Sequence, residues 1–415
     1  MTRFDVVIVG AGPAGAVAGI VLARAGVRVR LIDRAVFPRD KLCGDTLNPG
    51  TLAHLSRLGL TAGINERSLP VDGMCVTGER GDTILGRYPG GLTGRAIVRR
   101  DLDALLLQHA AAAGCEIDTG CAARGPIVVE RGAERQVTGV MVGTAGGDRA
   151  SIPISAPVTI AADGRRSTIA FGLGLARHPA HPRRWAIGGY YQDFLPGTNA
   201  EIAENAENEI GTETPPLRSQ RSLRSYFGEM HIRRGRYIGV APVPGGLTNV
   251  CLVMPSHAGD EAFGEPATLL ARELARDPWL RDRAAGARLV GPPAVLGPLA
   301  VDVDAAALDG LLLAGDAAGF IDPMTGDGLR FAVRGGELAA QAALGALDRG
   351  WTGVADGLAS ARRREFGGKW RFNRALRALV SSPRAIGAAA RGARLVPGAL
   401  RAVIARAGDC AAAAH

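Results

Sequence analysis

Twenty-three residues near the start of the chain, FDVVIVGAGPAGAVAGIVLARAG from Phe4 to Gly26, constrain the fold more than any other stretch. Asp5 to Val9 is a short apolar run of the kind that forms a buried strand. The turn after it, Gly10-Ala11-Gly12-Pro13-Ala14-Gly15, carries glycines in the GxGxxG spacing. Gly10 permits a tight turn, Gly12 lets backbone approach a pyrophosphate, and Gly15 lets the following helix pack closely on the strand. Phosphates would then sit at the helix N-terminus, where unpaired N–H groups and the positive end of the dipole favour anions. A second β run, Val27 to Ile32, ends in Asp33, placed to take ribose hydroxyls, with Arg34 next to it. GxGxxG alone also occurs in ordinary glycine-rich turns. Strand before, helix after and an acid in register together point to dinucleotide binding.

At 415 residues the chain is long enough for two or three domains and a large core. Its six cysteines are scattered, with no CxxC and no Cys/His cluster. Neither a disulfide framework nor a metal site is indicated, and a cytoplasmic setting is expected. The apolar N-terminus does not read as a signal peptide, because Asp5 precedes it and a second strand follows at once. No uninterrupted apolar run reaches the roughly 18 residues of a membrane span. The net charge of +9 belongs to the tail: Ala361 to Ala407 holds twelve Arg or Lys against one acid, Glu365.

Between the ends, the loop Phe37 to Gly50 (FPRDKLCGDTLNPG) is irregular and long enough to be functional. A helix follows from near Thr51 to Leu58. Asp72 to Tyr88 reads as a β-hairpin turning at Gly81-Asp82. A short strand, Ala96 to Val98, leads into a helix through Arg99. Cys115 to Val142 reads as two or three strands, and Ser155 to Ala161 is a buried strand ending at Asp163-Gly164. Alternating strands at 186–192, 222–231, 237–242 and 249–254 suggest an antiparallel sheet with one buried face. Asn199 to Gln220 reads as a surface loop, and Glu265 to Arg283 as helical. Leu311 to Ala314 is a last buried strand before Gly315-Asp316. Gly328 to about Leu347 is an amphipathic helix. Ala355 to Ala407 is helical in period, broken near Pro383 and Pro397.

Three motifs in order, GAGPAG, ADGRRS and LLLAGDAAGFIDPMTGDG, resemble the flavoprotein group of p-hydroxybenzoate-hydroxylase-type monooxygenases, flavin-dependent halogenases and geranylgeranyl reductases. The resemblance runs from the N-terminus to about Leu347. It implies an α/β fold: a Rossmann-type FAD-binding domain (1–70, 95–170 and 290–347), an antiparallel-sheet substrate domain (71–94 and 171–289) and a basic helical C-terminal region (348–415). It places Gly10, Gly12, Pro13, Ala14, Gly15, Asp33, Arg34, Arg99, Ala123, Asp163, Gly315 and Asp316 at FAD. The loop from Pro323, with Gly326, Asp327, Gly328 and Leu329, would lie against the isoalloxazine. There, backbone N–H groups stabilise negative charge that develops on reduction. An arginine expected six residues after Gly164 is Ala170, which puts a side-chain role for that motif in question.

Within the group, Lys41-Leu42-Cys43-Gly44 is similar to the Lys-x-Cys-Gly-Gly loop of the reductase branch, with Asp45 in place of the second glycine. Cys43 and Gly44 are therefore candidate catalytic positions, although a packing thiol is the plainer role for a cysteine. Halogenases carry a lysine soon after the first fingerprint and a Trp-x-Trp motif, and both are lacking here. The reductases' Tyr-x-Trp-x-Phe-Pro strand survives as Tyr237, Gly239, Ala241 and Pro242, without the two inner rings. Each missing ring removes about 150–250 Å² of surface. A wider pocket is therefore expected, lined by Tyr237, Gly239, Pro242 and Pro323. The resemblance implies an FAD-dependent reductase delivering hydride to a C=C bond of an isoprenoid, quinone or polyketide. A monooxygenase acting on an aromatic or polyketide, or a non-enzymatic prenyl-binding protein, are the alternatives. NAD(P)H would be a transient donor. His54, His109 and His231 read as structural. The basic tail reads as a solvated face or as a peripheral membrane contact, and nucleic acid is not indicated.

Overall fold

A computed structural model describes residues 3–79, 83–132, 134–144, 151–180, 183–197, 226–255, 261–380 and 397–413. At its centre lies a six-stranded sheet in the order Ala307–Leu308, Leu311–Leu313, Val158–Ala161, Val6–Val9, Val29–Asp33, Glu116–Thr119. Pairing is parallel except at the Ala307–Leu308 edge. Val6–Val9 and Val158–Ala161 are buried at every residue, because both faces of the sheet are covered. One face packs under the helices Pro13–Arg24, Arg99–Ala112 and Gly328–Arg349. On the other lies a three-stranded sheet of Cys121–Arg131, Glu134–Thr144 and Ile152–Ser155.

The helices can come this close because glycine stands at the contacts. A Cβ on Gly15 would run into the carbonyl oxygen of Gly10, and one on Gly336 into the carbonyl oxygen of Ala14. The helix that opens at the fingerprint thus seats on its own strand and under Gly328–Arg349 with backbone against backbone.

A seven-stranded sheet stands over the strand ends, in the order Arg288–Leu296, Arg184–Gln192, Leu247–Pro255, Arg236–Val243, Phe227–Arg233, Gly73–Thr77, Thr83–Arg87. It is antiparallel as expected except at one place, where Phe227–Arg233 runs parallel to Gly73–Thr77. Hairpin-by-hairpin reading cannot see that pairing, since it joins segments about 150 residues apart in sequence. The sheet also takes in Arg288–Leu296, so it continues past residue 290. The strand expected at 222–231 is described from Phe227 to Arg233. Gly81-Asp82, residues 222–225 and the loop Asn199 to Gln220 lie outside the described residues. Helix Pro266–Arg276 covers the back face through Leu269, Leu270 and Leu274, and the front faces the Rossmann sheet.

Pro397 opens the helix Pro397–Ala407, since proline suits a first helical turn. Pro383 lies outside the described residues. The tail's charge is partly interior, so a wholly solvated face is corrected. Helix Val354–Val380 packs along Gly328–Arg349 with Arg362, Phe366 and Lys369 buried. Arg362 donates to the Ala318 carbonyl at 2.7 Å, and Lys369 to the Ala407 carbonyl at 2.7 Å. The backbone carbonyls and carboxylates packed against them compensate these buried cations. No described helix is long and apolar enough to cross a membrane.

Two glycines on one helix should respond oppositely to alanine. At Gly336 the new methyl group meets fixed backbone, and the thermal midpoint should fall by about 3 °C or more. At Gly345 the methyl meets only the far end of Arg349, so the helix propensity gained should raise the midpoint by about 1 °C. Thermal unfolding of both variants checks this, and equal shifts would contradict the packing.

Candidate active site

The three glycine-rich turns end at one cleft of about 1230 Å³, including its open mouth, between the Rossmann sheet and the front of the seven-stranded sheet. Gly12, Pro13 and Ala14 line it from the first turn, Gly164 and Arg165 from the second, and Gly315 and Asp316 from the third. Pro323, Gly326, Gly328 and Leu329 close one end, and Lys41 to Gly44 form a side wall. A second cleft shares Gly12, Cys43 and Arg165 with the first and runs on past Gly10 and Asp163 to Asp33 and Arg34.

Two helices begin at this cleft, and neither has a side-chain cap. Gly12 precedes Pro13–Arg24, and Asp327 precedes Gly328–Arg349 without its carboxylate capping it. The first-turn N–H groups of both helices are left for a partner in the cleft, and both dipoles present their positive ends there. Asp33 accepts from Ala11 N and Ala35 N, each at 2.8 Å, through different oxygens. Each oxygen keeps a lone pair for another donor.

Buried polar atoms also await a ligand. Arg165 lines both clefts, and burial lowers its pKa to about 10. Its Nε has no hydrogen-bond partner among the described residues. Asp163 accepts at one oxygen from Thr168 N, at the start of the helix that Ser167 caps, at 2.7 Å. Its other oxygen is buried without a partner, and burial raises its pKa. Ala170 is wholly buried in the core beneath, so the arginine expected there would have no room. Lys41, at the wall, has its pKa lowered by burial and then by Arg99, while Asp316 works the other way. An acid, several cations and two open helix starts suit a ligand with both phosphates and hydroxyls.

Some expected residues are engaged elsewhere. Burial works against the Arg99 charge, but Asp103 outweighs it through two hydrogen bonds of 2.7 Å and raises the Arg99 pKa. The guanidinium lines the cleft already paired. Asp327 points away from the cleft, toward Lys369 (3.1 Å), Asn373 (3.0 Å) and Asn48 (3.2 Å), and so ties the Gly326–Gly328 loop to the C-terminal helices. Gly15 serves packing. Ala123 sits on strand Cys121–Arg131 against the second core and lines neither cleft.

On the front of the seven-stranded sheet, Tyr237 and Gly239 line the cleft with Met230, Cys251 and Val253. Pro242 has the opposite parity on its strand and shares the face of Ile238 and Val240, which pack on the back helix. A Cβ at Gly239 would find nothing nearer than 3.9 Å, so the missing ring leaves space. Tyr237 Oη donates to Asp322 Oδ1 at 2.7 Å, and Met324 N donates to the same oxygen at 3.0 Å. The Pro323 loop is therefore fastened to the sheet. Cys43 is half-buried, and burial is the main cause raising its thiol pKa, with Arg99 opposing.

Reading the sequence missed Arg165, Leu296, Leu299 and Phe320 as lining residues. Arg165 could have been found from its place beside Asp163-Gly164. The other three become visible only once the sheet is placed over the cleft.

The family described as an FAD binding domain matches residues 3–216. The chain is 31% identical over 350 residues to the menaquinone reductase of Mycolicibacterium smegmatis, covering 82% of this chain and 76% of that one. It is 27% identical to the digeranylgeranylglycerophospholipid reductase of Methanosarcina mazei over 84% of this chain and 77% of that one. Among solved structures, the flavin-dependent brominase Bmp2 superposes with a TM-score of 0.76 at 20% identity, over 98% and 94% of the two chains, a likeness of fold.

Asp316→Ala should weaken FAD retention by about tenfold or more, the order expected for one charge-assisted hydrogen bond. Flavin absorbance per protein after gel filtration measures it, and undiminished content would remove Asp316 from the site.

Proposed function

The chain belongs to the FAD-binding-domain flavoproteins, and from that premise we propose that it is an FAD-dependent reductase saturating a carbon–carbon double bond of an isoprenoid lipid, with a polyprenyl quinone as the leading substrate. The observation that carries this reading is the far wall of the cleft. Opposite the glycine turns stand Met230, Val253, Leu296, Leu299 and Phe320, an apolar surface suited to a lipid chain. The relatives named as reductases of menaquinone and of a digeranylgeranyl lipid support the same class.

When bound and reduced, FAD supplies the hydride. The chain's part is to hold, orient and exclude water. The helix start at Gly12 to Ala14 would hold the pyrophosphate with Arg165, and Asp33 and Asp316 would take hydroxyls. The helix start at Gly328 would favour negative charge on the ring edge. The apolar wall would keep water from the reacting carbons. Addition to a double bond also needs a proton, and Cys43, kept neutral by burial, would hold it at Sγ. Electrons would come from NAD(P)H visiting transiently. Arg363, Arg364, Arg371 and Arg374 are exposed on helix Val354–Val380 at spacings that share a side. They are the part of the tail suited to an anionic membrane surface during substrate uptake.

Anaerobic incubation with NAD(P)H and separate menaquinone, digeranylgeranyl lipid and phenolic substrates tests the reading by mass spectrometry. The expected product gains two hydrogens on a prenyl chain without oxygen. Oxygen-dependent turnover with oxygen in the product would establish the monooxygenase alternative, and colourless protein that takes up no FAD would favour prenyl binding. Cys43→Ala should retain FAD and lower kcat by about 100-fold, the lower end for losing a proton donor.

A further inference from the structure

Asp45 stands where the resemblance places a second glycine, and it keeps a glycine-like backbone at φ +52°. Few side chains tolerate that region, and a non-glycine residue held there is a strained feature that its surroundings must secure. Asp45 is also wholly buried. Donors from three separate elements meet its carboxylate. Tyr190 Oη (2.7 Å) and Asn249 Nδ2 (2.5 Å), on adjacent strands of the covering sheet, donate to Oδ2. The backbone N–H of Arg99, at the start of its helix, donates to Oδ1 at 3.2 Å.

The same Asn249 amide also donates to the carbonyl of Cys43 at 2.8 Å. One residue before Cys43, Leu42 fills the space that a side chain on Gly188 would need, so the loop lies flush against the sheet. A glycine at position 45 would supply neither the tie nor the charge. The charge matters because, after burial, which is the main cause raising the Cys43 thiol pKa, the Arg99 guanidinium lowers it and the Asp45 carboxylate raises it, while the Asp45 backbone N–H works with Arg99. A cation acting alone beside a cysteine favours the thiolate.

We propose that Asp45 is a positioning residue: it clamps the Lys41–Gly44 loop to the covering sheet and offsets the Arg99 charge beside Cys43. The role rests on the reading above only in taking Cys43 to face the cleft, and it holds for any substrate. The groups around Asp45 are Tyr190, Asn249 and Cys251 from the sheet, Arg99 from its helix and Cys43 from its own loop. Burial pushes the Asp45 carboxyl up to about 6, with Tyr190 and Asn249 opposing. Its two oxygens accept three hydrogen bonds, the pattern of an ionised carboxylate.

The test is site-resolved alkylation of Cys43 by iodoacetamide in the FAD-loaded protein between pH 6 and 9, read by peptide mass spectrometry, and it needs no substrate. Asp45→Asn keeps size and removes charge. It should lower the thiol pKa by about one unit and so speed alkylation at pH 7.5 by about tenfold. Asp45→Gly keeps the backbone conformation and also releases the tie, and it should react faster still. Tyr190→Phe removes one hydroxyl and leaves the charge. It should react about two to three times faster than the native protein, by loosening one grip. A flavin-loaded Asp45→Asn with the native rate and midpoint would overturn the proposal. If both Asp45 variants fail to fold, a native rate in Tyr190→Phe would overturn it. Native alkylation together with lost reductase activity would count against this role while sparing the reductase reading.

Discussion

Backbone N–H groups at the first turns of two helices, uncapped by any side chain among the described residues, are the feature on which the rest of the structure depends. Pro13–Arg24 and Gly328–Arg349 both start at the cleft without a side-chain cap. Each leaves donors that water or a ligand must satisfy. Bringing two such starts together requires the helices to cross at backbone distance, which Gly336 allows against Ala14, while Gly15 lets the first helix seat on its own strand at Gly10. Close packing and anion affinity thus have one cause, the absence of side chains at those contacts.

Around this fixed pair, carboxylates act as fasteners between layers. Asp322 ties the Pro323 loop to Tyr237, Asp45 ties the Cys43 loop to Tyr190 and Asn249, and Asp327 ties the GDG loop to Lys369. Each buried acid has several donors, as low-dielectric surroundings require. The covering sheet and the C-terminal helices therefore shape the cleft, although neither carries a glycine fingerprint. The relatives' reductase names and the apolar far wall point to the same chemistry from independent directions.

The Rossmann strands around Val6–Val9 and the convergence of Gly12, Gly164 and Asp316 were legible because they rest on local rules: apolar runs of strand length, glycine spacing, an acid at a strand end. Less was legible where a residue's direction depends on distant packing. Asp327 sits in a glycine loop beside the cleft, yet it turns toward Lys369, 42 residues on. Pro242 follows Tyr237 on one strand but faces the other way. The tail's positive charge suggested a solvated face, yet Arg362 and Lys369 are interior because carbonyls and a carboxylate wait for them.

By itself, the sequence determined that this chain folds around a dinucleotide, since the glycine turn and its flanking strand and helix are contiguous and their geometry follows from backbone sterics alone. Only the tertiary structure decided what stands opposite the glycine turns. The wall of Met230, Val253, Leu296, Leu299 and Phe320 is drawn from strands and loops spread over some 90 residues, and the tie of Asp45 to Asn249 spans 204. Such contacts depend on which strands pair and on the face each side chain takes, and a parallel pairing such as Phe227–Arg233 with Gly73–Thr77 leaves no local trace in composition or spacing.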